Sequence, residues 1–195
     1  MDKKEIQSLI KKIESQTSAE IVPAILKNSD NYPAAYYRSG LFFSSLAFII
    51  TYFFFREFIV YAILIGYLIG LVLSFIPFVK KLFIFKPEIE EETLQKAYEI
   101  FLEHKIHQTS NRSGVLVMLS IFEKRAIILA DKNINTLVQE DTWVKVIDKL
   151  TLDIRTQSIE SAFKSALNKC GDILIEQLPH SSNDKNELSD SLVKE

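Results

Sequence analysis

Five side chains that could bind an ion or a substrate lie in or beside the predicted strands: Glu20, Asp30, Arg112, Glu123 and Asp131. The ends of strands commonly carry sites, and carboxylates that converge there can hold Ca²⁺ or Mg²⁺, because both ions prefer oxygen ligands. We hypothesise that Glu20, Glu123 and Asp131 line one acidic pocket. Arg112 would then lie on its rim and meet an anion. The alternative is structural, with Arg112 paired to one of these acids and Asp131 ending a strand in a turn.

Three further residue types could carry chemistry. His104 and His107 have a spacing that can ligate zinc, but the sequence places no third ligand, and a solvated or interfacial pair is the alternative. Cys170 is the single cysteine, so an intramolecular disulfide and a C-x-x-C motif are excluded, and its apolar helix predicts a small core residue. Trp143 is either a core anchor or a partner-binding residue.

No self-sufficient catalytic motif accompanies these residues. The sequence contains no Cys-x5-Arg, no glycine-rich phosphate loop and no His-Glu-x-x-His. The net charge of −2 also gives no basic surface for nucleic acid, so we expect no nucleic-acid partner.

Three predicted strands must position the candidate residues: Ala19–Leu26, Val115–Ser120 and Arg125–Ala130. The second is a continuous apolar run, which is typical of a strand buried on both faces, and the third fits as its antiparallel partner. Pro23 cannot donate a hydrogen bond to a ladder, so it predicts an edge position or a bulge. Amphipathic helices are predicted at 3–16, 88–107, 141–150 and 158–174.

The longest apolar block runs from Leu41 to Phe78 and is interrupted only by Arg56-Glu57. Phe58–Phe78 is an uncharged run of about 20 residues, which matches the ~30 Å hydrocarbon core of a bilayer. Every peptide group in lipid must be hydrogen-bonded, so two helices joined by a tight turn are expected. A soluble helical hairpin is disfavoured because neither helix has a polar face.

Basic residues flank this block on the side of the chain termini. Lys27 and Arg38 precede the first helix, Lys80, Lys81 and Lys86 follow the second, and only Arg56 lies between them. Lys and Arg near helix ends bias their loops to the cytoplasm, so we expect both termini to be cytoplasmic in a protein of the cell membrane. The lipid bilayer is then a partner.

Gly66 and Gly70 have the G-x-x-x-G spacing that allows two membrane helices to approach closely. The expected partner is the first helix, through Ser44, Ser45 and Ala47. Dimerisation with a second copy is the alternative.

A strand before the hairpin and two after it predict a discontinuous domain, because a single strand is unstable alone in water. We expect a first part at 1–33, a transmembrane hairpin at 34–85 and a second part at 86–179. The polar segment 180–195 predicts a flexible tail. The fold class is α/β, an α/β/α sandwich with a small mixed sheet interrupted by the hairpin.

Several segments resemble the TPM domain family, whose members include thylakoid lumen, photosystem II repair and nematode receptor-accessory proteins. These segments are Ser18–Val22, Thr109–Val117, Ser120–Arg125 and Ile128–Asp131. Trp143, Cys170-Gly171 and Asn186-Glu187-Leu188 resemble a bacterial subgroup with a membrane hairpin inside the domain. The resemblance implies an α/β/α sandwich. It also implies a role either in assembling or repairing membrane complexes or as an acid phosphatase, in some members with a bound divalent cation.

Two functions follow from these observations. The first is an accessory factor that binds another membrane protein complex and assists its assembly or maintenance. The second is a phosphatase at the membrane surface, assisted by Ca²⁺ or Mg²⁺, with Asp131, Glu123 and Arg112 as its candidate catalytic residues.

Overall fold

The computed structural model of the chain describes residues 3–181, 187–188 and 191–194. It divides into two compact units. One comprises Met1–Ser29 together with Glu92–Glu195, and the other comprises Asp30–Glu91.

The first unit is built on a four-stranded mixed sheet. Its strands are β1 (Glu20–Leu26), β2 (Gly114–Ser120), β3 (Arg125–Ala130) and β4 (Val193–Lys194), in the order β3-β2-β1-β4. β2 is parallel to β1 and antiparallel to β3, whereas β4 is parallel to β1. Every residue of β1 and β2 is buried, as expected for strands covered on both faces. The sheet therefore joins segments that are far apart in the sequence.

Helices cover both faces of this sheet. One face packs against α1 (Lys3–Glu14), α7 (Glu140–Thr156) and α8 (Ile159–Gln177), through a core that includes Ile10, Val117 and Phe163. The other face packs against α5 (Lys86–Glu103), through Ile100 and Leu116 among others. The predicted α/β/α arrangement with a small mixed sheet is confirmed.

Pro23 lies where its missing N–H removes no hydrogen bond to β2. The N–H of Glu20 donates to Ser113 O (3.2 Å), so the even-numbered residues of β1 donate towards β2 and the odd-numbered ones face the other way. On that other side, Ile21 N–H donates to the Glu14 carboxylate (2.9 Å), and β4 pairs only with Ala24 and Ile25. Pro23 is thus tolerated on a thinly paired side of β1, but the predicted edge position or bulge is wrong, because β1 lies between β2 and β4 and pairs with β2 in unbroken register.

The second unit contains two long apolar helices. α2 (Pro33–Phe54) is followed by a 3-10 turn at Arg56–Phe58, α3 (Ile59–Leu73) and the short α4 (Pro77–Leu82). The apolar run to Phe78 is therefore not one helix. Pro77 disfavours helical geometry at the residue before it, and Ile76 is extended, with ψ 119°.

Two connecting segments also differ from the sequence-based expectations. Residues after β3 form α6 (Lys132–Leu137) instead of a plain connection, because the Asp131 side chain caps its first turn. Within the predicted flexible tail, Val193 and Lys194 form β4, and Leu192 is buried in the core. Burial of Leu192 and pairing with β1 hold this part of the tail against the sheet. Residues 182–186, 189–190 and 195 of that tail, including Asn186 of the resemblance, lie outside the described residues.

Candidate functional site

Asp131 directly follows β3, at the end of the sheet where β3 ends and β2 begins. Its N–H donates to Gly114 O (2.9 Å), which continues the β2–β3 ladder by one residue. One carboxylate oxygen, Oδ1, accepts from Lys132 N–H (2.7 Å), and the other, Oδ2, lies 3.6 Å from Arg112 Nη1. Within the described residues, Oδ2 is buried and accepts no hydrogen bond. The ion pair and the helix cap are the structural role that we considered as the alternative for these two residues.

Arg112 is held by its own loop. Its backbone is left-handed, with φ 51°, which is uncommon for a residue other than glycine. Its N–H donates to Thr109 O (3.0 Å), its carbonyl accepts from Asn133 N–H (3.2 Å), and its guanidinium donates to His107 O. These bonds connect the loop before β2 to the start of α6 and fix the Arg112 side chain beside Asp131.

Glu20 is the first residue of β1 and lies at the same end of the sheet. It is paired in register with Gly114, so it lies about 10 Å from Asp131, on the far side of one strand. The Ile106 carbonyl lies against Gly114, in the space where a side chain would be. Glu20 Oε1 accepts from Glu187 N–H (3.0 Å), so the carboxylate anchors the C-terminal segment.

Glu123 lies at the opposite end of the sheet. It belongs to the turn between β2 and β3, where Oε1 accepts from Ser29 N–H (2.9 Å) and Oε2 accepts from the Ser120 hydroxyl. β2 is seven residues long, so this turn lies about 20 Å from the end where Gly114 and Asp131 meet. The hypothesis that Glu20, Glu123 and Asp131 line one pocket is therefore wrong. In two antiparallel strands joined by a turn, the turn lies at one end of the strands and the free ends of the strands lie at the other.

An open pocket of about 620 Å³ lies beside Arg112, and its chemistry is basic. Arg112 and Lys132 line it together with hydroxyl and amide side chains, among them Ser18, Asn133 and Thr136. None of the described lining residues is acidic. The pocket can therefore receive an anion, in contrast to the acidic pocket expected from the sequence.

A resident Ca²⁺ or Mg²⁺ does not fit this arrangement. Within the described ranges, no group of three or more His, Cys, Asp and Glu side chains could hold a metal ion. Asp131 Oδ2, which accepts no hydrogen bond among the described residues, faces the Arg112 guanidinium, whose positive charge would repel a second cation. We therefore derive no chemistry through a metal.

The remaining candidate residues have structural positions. His104 is exposed just after α5, and His107 is half-buried in a 3-10 turn with its ring stacked on Phe101, so the two histidines do not share a helix face. Cys170 is fully buried in the core, as predicted, and burial raises the pKa of its thiol to about 12. Trp143 is also a core residue, with only 6% of its surface exposed.

In the second unit, α2 and α3 pack closely through their small residues. A Cβ on Gly66 would lie 2.8 Å from Ala47 Cβ, and one on Gly70 would lie 2.5 Å from Ser39 O. The Ser39 hydroxyl donates to Gly70 O (2.9 Å). The two glycines therefore face α2, as the sequence predicted.

Large apolar side chains cover the outer surfaces of these two helices. Phe53 and Val60, for example, are 74% and 67% exposed. By length and composition, Pro33–Phe54 and Arg56–Leu73 are both apolar enough to cross a membrane.

The fold and these sites define an α/β/α domain whose sheet is completed across an inserted pair of apolar helices. Residues 79–173 match the family model described as TPM domain, which confirms the predicted resemblance over that part of the chain. The chain is also similar to the NMR structure of the BA42 protein from the psychrophilic bacterium Bizionia argentinensis. The identity is 19% and the TM-score 0.62, over 99% of this chain and 92% of that chain, which supports the fold alone. No curated protein matches the chain.

Proposed function

We propose that this chain is an integral membrane protein whose TPM domain binds another membrane protein complex and assists its assembly or maintenance. The observation that carries the proposal is the pair of apolar helices, whose large side chains are exposed instead of packed in a core. Exposed apolar surface of this extent is costly in water and favourable in lipid.

The contacts at the ends of the helices also support insertion into a bilayer. The Lys80 ammonium of α4 donates to the Tyr36 hydroxyl (3.2 Å) and lies 4.6 Å from the centre of the Tyr36 ring. The Arg38 guanidinium lies 4.2 Å from the centre of the Phe85 ring. At the turn between the helices, Arg56 lies 5.1 Å from the Tyr52 ring. Basic and aromatic residues favour the headgroup region, so these pairs support the proposal that the helices cross a bilayer.

Cysteine labelling tests the insertion and its direction. In a Cys170→Ala background, single cysteines at Lys3, Arg56 and Lys194 would be exposed to a membrane-impermeant maleimide in spheroplasts. We expect Arg56→Cys to be labelled directly, and Lys3→Cys and Lys194→Cys only after permeabilisation. Labelling of Lys3→Cys and Lys194→Cys from opposite sides would contradict the proposal, as would extraction of the protein into water without detergent.

The partner is tested by in-cell crosslinking followed by purification of the full chain in mild detergent. The proposal expects a membrane protein complex in fixed stoichiometry. Gly66→Leu is the matched variant, because its side chain would collide with Ala47 and Phe43 of α2 and disturb the hairpin. Recovery of the same complex with a non-inserting variant would show that the membrane helices are not required.

A phosphatase is the second candidate, and the basic pocket is the observation that favours it. Arg112 and Lys132 line an open pocket that could receive a phosphoryl group, and the Asp131 carboxylate lies 3.6 Å from Arg112. Turnover of p-nitrophenyl phosphate tests it, with Asp131→Asn and Arg112→Ala as inactivating variants. Lys149→Ala is the control, since this lysine pairs with Asp153 outside the pocket. Turnover that is unchanged in both variants would exclude this site.

A further inference from the structure

We propose that the outer edge of β3 binds an extended peptide segment of a partner protein, which adds a strand to the sheet. The inference rests on the proposed accessory function, because it names the surface and the kind of segment that would be recognised. The site is a groove of about 440 Å³ that runs along Ile128–Ala130, between α5 on one side and α7 on the other. We call it the β3 groove.

The backbone groups in the β3 groove point away from the sheet. Asp131 N–H donates to Gly114 O (2.9 Å). Every second residue of an antiparallel strand bonds to its neighbour, so Leu129 and Ile127 also bond to β2. The amides and carbonyls of Ile128 and Ala130 therefore face outwards. The Asn135 side chain donates to Ala130 O (2.7 Å), as expected for an outward carbonyl.

The N–H and C=O of Ile128 and the N–H of Ala130 are left for another strand. In the part of the chain that the structure describes, no hydrogen bond on the outer side of β3 satisfies these three groups. An exposed strand edge of this kind is a template for an added strand, and the backbone of an extended peptide supplies the matching groups.

Trp143 is a second, independent indication of a ligand. Its side chain lines the β3 groove, is 94% buried, and carries an Nε1–H that donates to no acceptor among the described residues. A buried donor without a partner is costly and rare in folded proteins. Nε1 itself is closed off from solvent, so the indole ring must turn slightly for a carbonyl oxygen of a peptide in the groove to accept this hydrogen bond.

The residues that line the walls of the groove determine which kind of side chain the peptide can carry. Tyr98 and Phe101 of α5 line one wall, and Val144 and Ile147 of α7 line the other. Tyr98 and Val144 are 52% and 47% exposed, an apolar surface that is available for contact. Alternate residues of a strand point to opposite faces, so apolar side chains on both faces of the peptide would be covered.

Charge complementarity favours a basic residue at one end of the peptide. Among the described lining residues, Glu140 is the one charged side chain, and it lies in the first turn of α7 near the C-terminal end of β3. A peptide antiparallel to β3 begins at that end. The occupant is therefore an extended apolar segment with a lysine or arginine at its N-terminal end.

The test begins with a phage-displayed library of random twelve-residue peptides, selected on the full chain in detergent micelles. Enriched peptides are then synthesised and titrated, and the emission of Trp143, the single tryptophan, reports binding in the groove. We expect a saturable change in this emission. Trp143→Phe, measured by calorimetry, should weaken binding about fivefold through loss of one hydrogen bond.

Ile128→Pro removes the outward donor and should weaken binding more than tenfold while leaving the ladder to β2 intact. N-methylated peptides provide a test that does not depend on folding of a variant. Methylation of alternate amides should abolish binding in one register and leave it nearly unchanged in the other, because only one set of amides faces β3.

Failure to enrich any peptide that changes the Trp143 emission would overturn the proposal, as would equal effects of methylation in both registers. Self-association of the full chain that is lost in Ile128→Pro would make a second copy the occupant, which also overturns it. If a membrane complex still co-purifies with Ile128→Pro, the accessory function stands and the β3 groove is not its docking site. If peptides bind the groove but no complex is found, the accessory function fails alone.

Discussion

Replacement of Gly70 by alanine should separate the two apolar helices. The added Cβ would lie 2.5 Å from Ser39 O and 2.7 Å from Gly40 Cα, which are both backbone atoms of α2 and cannot rotate away. Ordinary contact begins at 3.4 Å, so the two backbones must move apart by about 1 Å.

The expected cost follows from that displacement. Overpacking of a close interface costs about 1–3 kcal/mol. The Ser39–Gly70 hydrogen bond, now 2.9 Å long, would pass the limit of about 3.5 Å and be lost, at about 0.6 kcal/mol for a bond between membrane helices. We therefore expect Gly70→Ala to destabilise the helix pair by about 2–4 kcal/mol.

Gly40→Ala is the matched control. Its Cβ would lie 2.7 Å from the Tyr67 ring, but that ring is a side chain that can turn aside, so we expect a loss below about 1.5 kcal/mol. The assay is maleimide labelling of Ala47→Cys in a Cys170→Ala background during titration with SDS, because Ala47 faces α3. Equal SDS midpoints for Gly70→Ala and Gly40→Ala, or no shift for Gly70→Ala, would refute the reasoning.

Three predictions concern the first unit. The Cys170 thiol has a pKa of about 12 when folded and 9 when unfolded, so the free energy of unfolding should fall between pH 9 and 12 as the unfolded chain ionises. The loss should be about 1 kcal/mol per pH unit and absent in Cys170→Ala, and urea titrations across this range measure it. Phe163→Ala empties a fully buried site and should cost about 3–5 kcal/mol by the same titration at pH 7; a loss below about 1 kcal/mol would mean that the site collapses. Ser158→Ala removes the cap that accepts from Ser161 N–H (3.1 Å) and should cost about 1 kcal/mol, whereas Ser158→Asp should retain stability.

Much of the architecture follows from local pattern. The apolar runs of β2 and β3 and the helical periodicity of α7 and α8 predict their types, because burial on one or two faces imposes a period on the sequence. The break between α3 and α4 was also encoded locally, by Pro77, but the length of the apolar run concealed it.

The candidate site was predicted less well, and the reason is topological. Glu123 and Asp131 are eight positions apart, yet they lie at opposite ends of the sheet because a strand of six residues separates them. The predicted hairpin already contained this information. The polarity of the pocket could not be foreseen, because Ser18, Arg112 and Lys132 meet only when α6 follows β3 and the loop before β2 takes a left-handed turn at Arg112.

The sequence by itself determined the two apolar helices, the buried strands and the faces of the helices that pack on them, since each depends on neighbours within a few residues. The tertiary structure decided which strand ends meet, that a basic pocket lies beside Asp131, and that Trp143 lines the β3 groove with an N–H that donates to no described acceptor. These features depend on the order of strands in the sheet. That order arises from contacts between residues nearly a hundred positions apart, such as Glu20 and Gly114, which no local pattern encodes.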